Sequence, residues 1–361
     1  MVKKKAIVSK VSRIEKAILG EKELQSENQI VTAGIKKIEQ YEKSVPVQLE
    51  LFQVILPSER NRSNTVEFYD FVPKYVWGKV KRIDDMFLKT VKRDFECRGG
   101  NFTVRIAPSR LQDSDGNERD HFPGKLEELV EDALRKLATE GHGLFLDNEA
   151  AVTFTLYELQ QELKRTGHSY SIDQIKNAIM VCVGTTVHIT DEIGSTLFSD
   201  HLFETVGLQT REDWKGQGEK TKAFVRFNSL VTKSIREGTY RQFNYEIAMS
   251  YRTVVARQLH KRMSHHFTQA SIHIPYSILL STVIRDFGLT QYSQARDNLR
   301  DVCVSLDEMV EKEVLMKYSV ERTVEKRKIV DAKLILIPHP KFASEVMNAN
   351  RKQKDWKLLH G

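Results

Sequence analysis

Cysteine is scarce in this 361-residue chain, which has only Cys97, Cys182 and Cys303. The three stand far apart and form no C-x-x-C pair, which argues against a disulfide framework and a cysteine-based zinc finger and fits a reducing compartment. Long apolar runs are missing too. The amino terminus carries Lys3, Lys4 and Lys5 without the apolar stretch of a signal peptide, and no later segment reaches membrane-spanning length. The chain is expected in the cytoplasm and out of the bilayer.

Catalytic constellations are also absent. A DNA-nicking centre would need a metal-binding His-x-His in a strand with acidic support, and Gly141-His142-Gly143 is not one. His260, His265 and His266 form H-x-x-x-x-H-H, whose first interval is not the i,i+4 spacing of a helical metal pair. Gly216-Gln217-Gly218-Glu219-Lys220-Thr221 lacks the Gly-Lys-Ser/Thr ending of a phosphate loop, and Glu219 would repel phosphate. No enzymatic activity, no metal and no cofactor are expected.

What the chain has is the composition of a folded protein, 40% hydrophobic and 29% charged, with a net charge of +7. That excess favours a polyanionic partner, because phosphate neutralisation with counterion release drives most non-specific nucleic-acid affinity. The length suits two domains and a smaller module.

Residues 1–44 hold ten Lys or Arg against six acids and read as a basic flexible tail. From 45 to 115, short β-favouring runs punctuated by Pro57, Pro73, Gly99-Gly100 and Pro108 suggest a strand-rich module, with 112–121 as a turn or linker. Leu126, Leu129, Val130, Ala133, Leu134 and Leu137 then recur at helical spacing. A strand follows near 152–155, a helix over 156–165 and another from the Ser171 cap, where Gln174 completes a capping box. Two strands flanking Gly194 form a hairpin. The order recurs in the second half: a long helix over 245–267, helices over 278–287 and 293–312, and a hairpin whose turn, 321–328, is basic.

These patterns predict an α+β protein with two winged-helix domains, each a helix, a helix-turn-helix and a β-hairpin wing. The first domain is placed at 116–225, the second at 226–345, and 346–361 is a basic tail.

In the 293–312 helix, Ala295, Leu299, Val302, Leu306 and Met309 share one face, which leaves Gln294, Arg296, Asn298 and Arg300 as candidate base readers. Arg322, Lys326, Arg327 and Lys328 are candidate wing contacts. Arg252, Arg257, Lys261 and Arg262 lie on one strongly basic segment and are candidates for positioning on the phosphate backbone. The first domain offers Lys176 and Asn177, but 111–162 carry thirteen acids against four Lys or Arg, so its phosphate binding should be poorer.

The run F-N-S-L-V-T-K-S-I-R-E-G-T-Y-R-Q-F-N-Y from Phe227, with R-Q-L-H-K-R-M-S-H-H-F-T ending at Thr268, resembles plasmid replication initiator proteins. So do E-E-L-V-E-D-A-L-R-K-L-A with F-T-L-Y-E-L-Q-Q-E-L between 126 and 163, and the stretch 61–75. The resemblance covers most of 50–340. It implies a tandem winged-helix initiator that binds repeated sites in double-stranded origin DNA, helps melt adjacent A·T-rich DNA and recruits host replication proteins, including the helicase and the host initiator. It also implies a bacterial cytoplasmic setting; a homodimer is a further expectation. Gln48, Leu49, Leu51 and Phe52 match the Q-L-x-L-F peptide by which bacterial replication proteins dock on the sliding clamp, and the same alternation also suits an edge strand. A winged-helix transcription repressor is the alternative.

Overall fold

The computed structural model describes residues 61–112, 116–208 and 223–360. The basic tail, the Gln48 to Phe52 peptide and the 216–221 loop lie outside the described residues.

The chain begins with β1 (Arg62–Val66) and the single turn α1 (Glu67–Phe71), followed by β2 (Val91–Cys97), β3 (Gly100–Ala107), β4 (Ser109–Gln112) and β5 (Glu118–His121). Next come α2 (Lys125–Leu137), a π turn, β6 (Gly143–Leu146), β7 (Glu149–Phe154), α3 (Leu156–Arg165), α4 (Ile172–Gly184), β8 (Thr186–Asp191), β9 (Thr196–His201) and β10 (Phe203–Gly207). Then follow β11 (Ala223–Phe227), α5 (Ser229–Arg236), β12 (Tyr240–Asn244) and α6 (Tyr245–Ser250). The remainder comprises α7 (Val254–His266), β13 (Tyr276–Leu279), α8 (Leu280–Asp286), α9 (Ala295–Glu311), β14 (Leu315–Glu325), β15 (Lys328–Pro338) and α10 (Pro340–His360). The protein is mixed α+β.

Helix starts follow local chemistry. Ser171 accepts from the Gln174 amide while the Gln174 side chain accepts from the Ser171 amide, and Thr155 with Glu158 repeats the box. The hairpin predicted around Gly194 forms between β8 and β9. The two-helix-plus-hairpin order recurs as α8, α9 and β14-β15.

Several expectations need correction. The strand-rich stretch is not a separate module, because β1 pairs with β12 and β3 pairs with β8, giving a four-stranded sheet in the order β2-β3-β8-β9. Edge strands of a short segment need partners, and these come from distant sequence. Of the turn or linker expected over 112–121, Gln112 and Glu118–His121 lie in the paired strands β4 and β5, so the ends of this stretch are ordered strand rather than linker. Two main cores occur, one running from Val66 to Met249 and the other from Tyr251 to Val346. The boundary therefore lies near 250 rather than at 225/226: Phe227, Val231, Ile235, Phe243 and Tyr245 all fill the first core.

The long helix expected over 245–267 is broken between α6 and α7. The Glu308 carboxylate of α9 accepts from the amides of Arg252 and Thr253 and from the Thr253 hydroxyl, satisfying donors a helix start leaves open. Similarly, the helix expected from Ile278 starts at Leu280, since Tyr276–Leu279 pairs with β15. The carboxy-terminal tail is a helix as far as His360. Phe342, Val346 and Ala349 recur at helical spacing and are buried, while Asn350 and Lys352 bond to Arg241 and Gln242 of β12.

Candidate nucleic-acid interface

The second unit offers a concave, cation-lined surface. A cleft of about 980 Å³ opens between α8, the start of α9 and the root of the β14-β15 turn, and Gln294, Arg296, Arg327 and Lys328 line it. Two clamps fix its walls. The Ser281 amide and hydroxyl donate to Asp331 of β15 at 3.0 and 2.7 Å, holding α8 against the hairpin. The Tyr318 hydroxyl of β14 donates to Asp307 of α9 at 2.7 Å.

On α9 the predicted readers separate into two groups. Gln294 sits at the N-cap position without capping through its side chain, and it is exposed. The Arg296 and Arg300 side chains are 71% and 69% exposed; Asp297 lies 3.9 and 3.5 Å from them, and Asp301 lies 3.5 Å from Arg300. Such long, solvated pairs contribute little, so the guanidinium forks stay available to a base edge or phosphate. Asn298 is a correction. It is 4% exposed, its Nδ2 donates to Thr290 O and its Oδ1 accepts from the Tyr292 amide, both at 3.1 Å. Its role is to lock the turn between α8 and α9, and it cannot reach a base.

The end of the β14-β15 hairpin gathers exposed positive charge. Arg322, Lys326, Arg327 and Lys328 are all exposed. Glu325 pairs with Lys328, so Lys326 and Arg327 form the whole two-residue turn, with φ of +45° and +65°. Positive φ at both positions is the twist-matched hairpin turn that normally selects Asn-Gly. Here it holds two cations instead.

The basic segment around α7 is the largest correction. Arg252 is 81% exposed and lies 3.5 Å from both Glu308 and Glu311. Arg257 is fully buried with its Nε 3.0 Å from Glu128, Lys261 reaches Asp132 at 2.5 Å, and Arg262 pairs with Asp286 at 3.0 Å. These three do not lie along a phosphate backbone. They seal α7 to α2 and α8, because α2 has both faces covered: Leu129, Ala133 and Leu134 enter its own core, while Glu128 and Asp132 meet α7. Burial would raise the Glu128 carboxyl, but Arg257 and Lys261 outweigh it and hold it below its usual range.

Next to this seam, Arg135 grips both oxygens of Asp70 at 2.8 and 2.9 Å, and the Lys74 ammonium sits 3.5 Å over the Tyr69 ring. The acids that made 111–162 look like a poor phosphate binder are thus partly consumed by internal pairing. His260, His265 and His266 also diverge: His260 meets Tyr251, His265 meets Thr65 and His266 stacks on Phe71.

In the first unit, α4 exposes Asn177, with Lys176 half-buried. The β8-β9 tip differs from its counterpart, with Asp191 and Glu192 beside Ile193, which is 87% exposed. Sequence reasoning missed Arg93 and Arg285, which also line the cleft. Arg93 donates to Pro73 O and Tyr75 O, and burial lowers its guanidinium to about 10. No local signal marks it, since the second unit meets β2 from nearly 200 residues away. The Trp77 indole donates to Phe287 O at 2.6 Å, and a Cβ on Gly288, whose φ is +61°, would overlap the Arg93 guanidinium.

No family model matches the sequence, and no curated protein matches it. Among solved structures, the fold is similar to two crystal structures of domains 2 and 3 of RctB, each at 13% identity over 76% of this chain. They are covered to 96% and 99%, with TM-scores of 0.48 and 0.45. The crystal structure of Pi initiator protein in complex with iteron DNA is similar at 10% identity, over 60% of this chain and 91% of that one, with a TM-score of 0.41. No helix among the described residues is long and apolar enough to cross a membrane.

Proposed function

We propose that this chain is a plasmid-type replication initiator, a non-enzymatic protein of the bacterial cytoplasm that binds repeated sites in duplex origin DNA. The observation that carries the reading is one concave surface lined by Gln294 and Arg296 of α9 together with Arg327 and Lys328 of the hairpin tip, with Arg300 and Lys326 exposed on the same two elements. On this reading both units are winged helices. In the second, α9 is the recognition helix in the major groove and β14-β15 is the wing on adjacent phosphates. The sequence resemblance supports the initiator assignment over a simple operator binder. It also motivates melting of adjacent DNA and recruitment of helicase and host initiator; clamp docking through Gln48, Leu49, Leu51 and Phe52 rests on the separate Q-L-x-L-F match, and a homodimer is a further part of the reading.

The test is footprinting on the DNA that neighbours the protein's own gene. Several protected sites spaced by about one helical turn or a multiple of it are expected for an initiator. A single operator-like site would favour the repressor, and no protected site would refute both.

A further inference from the structure

The solvent face of the β2-β3-β8-β9 sheet carries a row of basic groups that the α9 interface does not use. Lys92 of β2 lies directly opposite Arg105 of β3, Arg105 opposite His188 of β8, and His188 opposite Ser199 of β9. Lys92 and Arg105 are exposed, and neither makes an ion pair among the described residues. The Ser199 hydroxyl and His188 Nδ1 are 2.7 Å apart. In the next row, Asp94 is already engaged by the Thr103 hydroxyl, followed by Thr190 and Thr196. Like charges directly opposite each other destabilise an antiparallel pair. A lysine facing an arginine therefore works against the fold, and an anion lying across both would relieve it.

Position suggests which anion. β2 is the edge strand against which α8 docks, with the Glu96 amide donating to Asp286 Oδ1 at 3.3 Å and Arg285 reaching Glu96 at 3.2 Å. Arg93 and Asp94 of that strand line the α9 cleft. The sheet face thus begins where the cleft ends, and at about 4.8 Å per strand the row from β2 to β9 extends about 14 Å further. That is enough to follow a short stretch of one DNA strand's phosphates.

We infer that the row Lys92, Arg105, His188 and Ser199 binds the phosphate backbone of the duplex flanking the segment read by α9, so that the first unit engages DNA with the face of its sheet rather than with α4. The inference rests on the proposed DNA-binding function. A duplex leaving the cleft meets two adjacent cations, then an imidazole and a hydroxyl, which fix the register of the flank without reading its bases.

The experiment compares wild type with the double variant Lys92→Ser, Arg105→Ser on the footprinted DNA by hydroxyl-radical protection and salt-dependent titration. Protection is expected to shorten at one end only. The slope of log affinity against log salt should fall by about two, with affinity lower by tens of fold at 0.1 M salt. Lys92→Glu, which places an acid opposite Arg105, should melt no earlier than wild type while losing the same flank protection, so misfolding cannot mimic the result. An unchanged footprint and slope in the double variant overturn this inference alone; absence of any wild-type footprint overturns the DNA-binding function with it.

Discussion

The β14-β15 turn sets stability against function at two residues. Lys326 and Arg327 occupy left-handed backbone at φ +45° and +65°. For L-residues with long side chains this costs on the order of 1 kcal/mol each, whereas Gly pays no steric penalty and Asn tolerates the region well. Lys326→Asn with Arg327→Gly should therefore stabilise the hairpin by about 1 kcal/mol, partly offset by the greater freedom of Gly in the unfolded chain, and raise the melting temperature by a few degrees. The same change removes two cations from the tip. If each neutralises one phosphate, the salt slope falls by about 1.8 and affinity at 0.1 M salt drops by tens of fold, with sequence preference largely kept. Thermal unfolding and titration over a salt series measure both on one protein. A variant that is more stable yet keeps the wild-type slope would remove the tip from the interface, and one that melts earlier would refute the strain argument.

Other positions give independent checks. Arg296→Ala and Arg300→Ala should each weaken specific binding by roughly 1 to 3 kcal/mol in filter-binding or anisotropy assays, with a smaller loss on random DNA. By contrast, Asn298→Ala should lower thermal stability, because it frees two buried backbone groups at the α8-α9 turn. Glu128→Gln leaves Arg257 and Lys261 facing a neutral amide in a buried seam, and a loss of about 3 to 5 kcal/mol in urea unfolding is expected. Burial, with Lys261 nearby, holds the His260 imidazole at about 3 against an ordinary 6.5. The unfolded chain binds that proton below pH 6.5 and the folded chain does not, so stability should fall by about 2 kcal/mol between pH 6.5 and pH 5. His260→Gln, which cannot protonate, should flatten that part of the profile; an unaltered profile would show that another group governs it.

Features set by neighbours in sequence were legible, and those set by distant partners were not. Ser171 with Gln174, and the stop at Gly167, depend on a few consecutive residues, so the second and third helices of the first unit lie where the pattern puts them. The same holds for Gln294, Arg296, Arg300 and the hairpin tip, whose exposure follows from the apolar stripe of α9 and the alternation of β14 and β15. The breaks at 251–253 and at Leu280 were not readable, because a carboxylate from α9 and a strand from the far end of the unit impose them.

Arg257 and Lys261 show the deeper limit. A helical wheel separates an apolar stripe from a charged one, and the usual inference is that the charged stripe meets water. That inference requires water to be the only partner able to satisfy the charges. α2 and α7 break the condition together: one presents Glu128 and Asp132, the other Arg257 and Lys261, in matching order across a seam some 130 residues apart in sequence. Neither helix can be judged without the other, since each charged stripe alone would cost several kcal/mol per ion to bury and the pair recovers that cost only by meeting. The excess of acids in 111–162 and of bases in 240–266 was therefore a complementarity signal between two segments of one chain as much as a statement about DNA. What distinguishes cations facing a ligand from those facing the protein is whether an acidic stripe of matching spacing exists elsewhere. Lys326, Arg327 and Lys328 sit at the end of a two-stranded arm, where no helix of the described residues covers them.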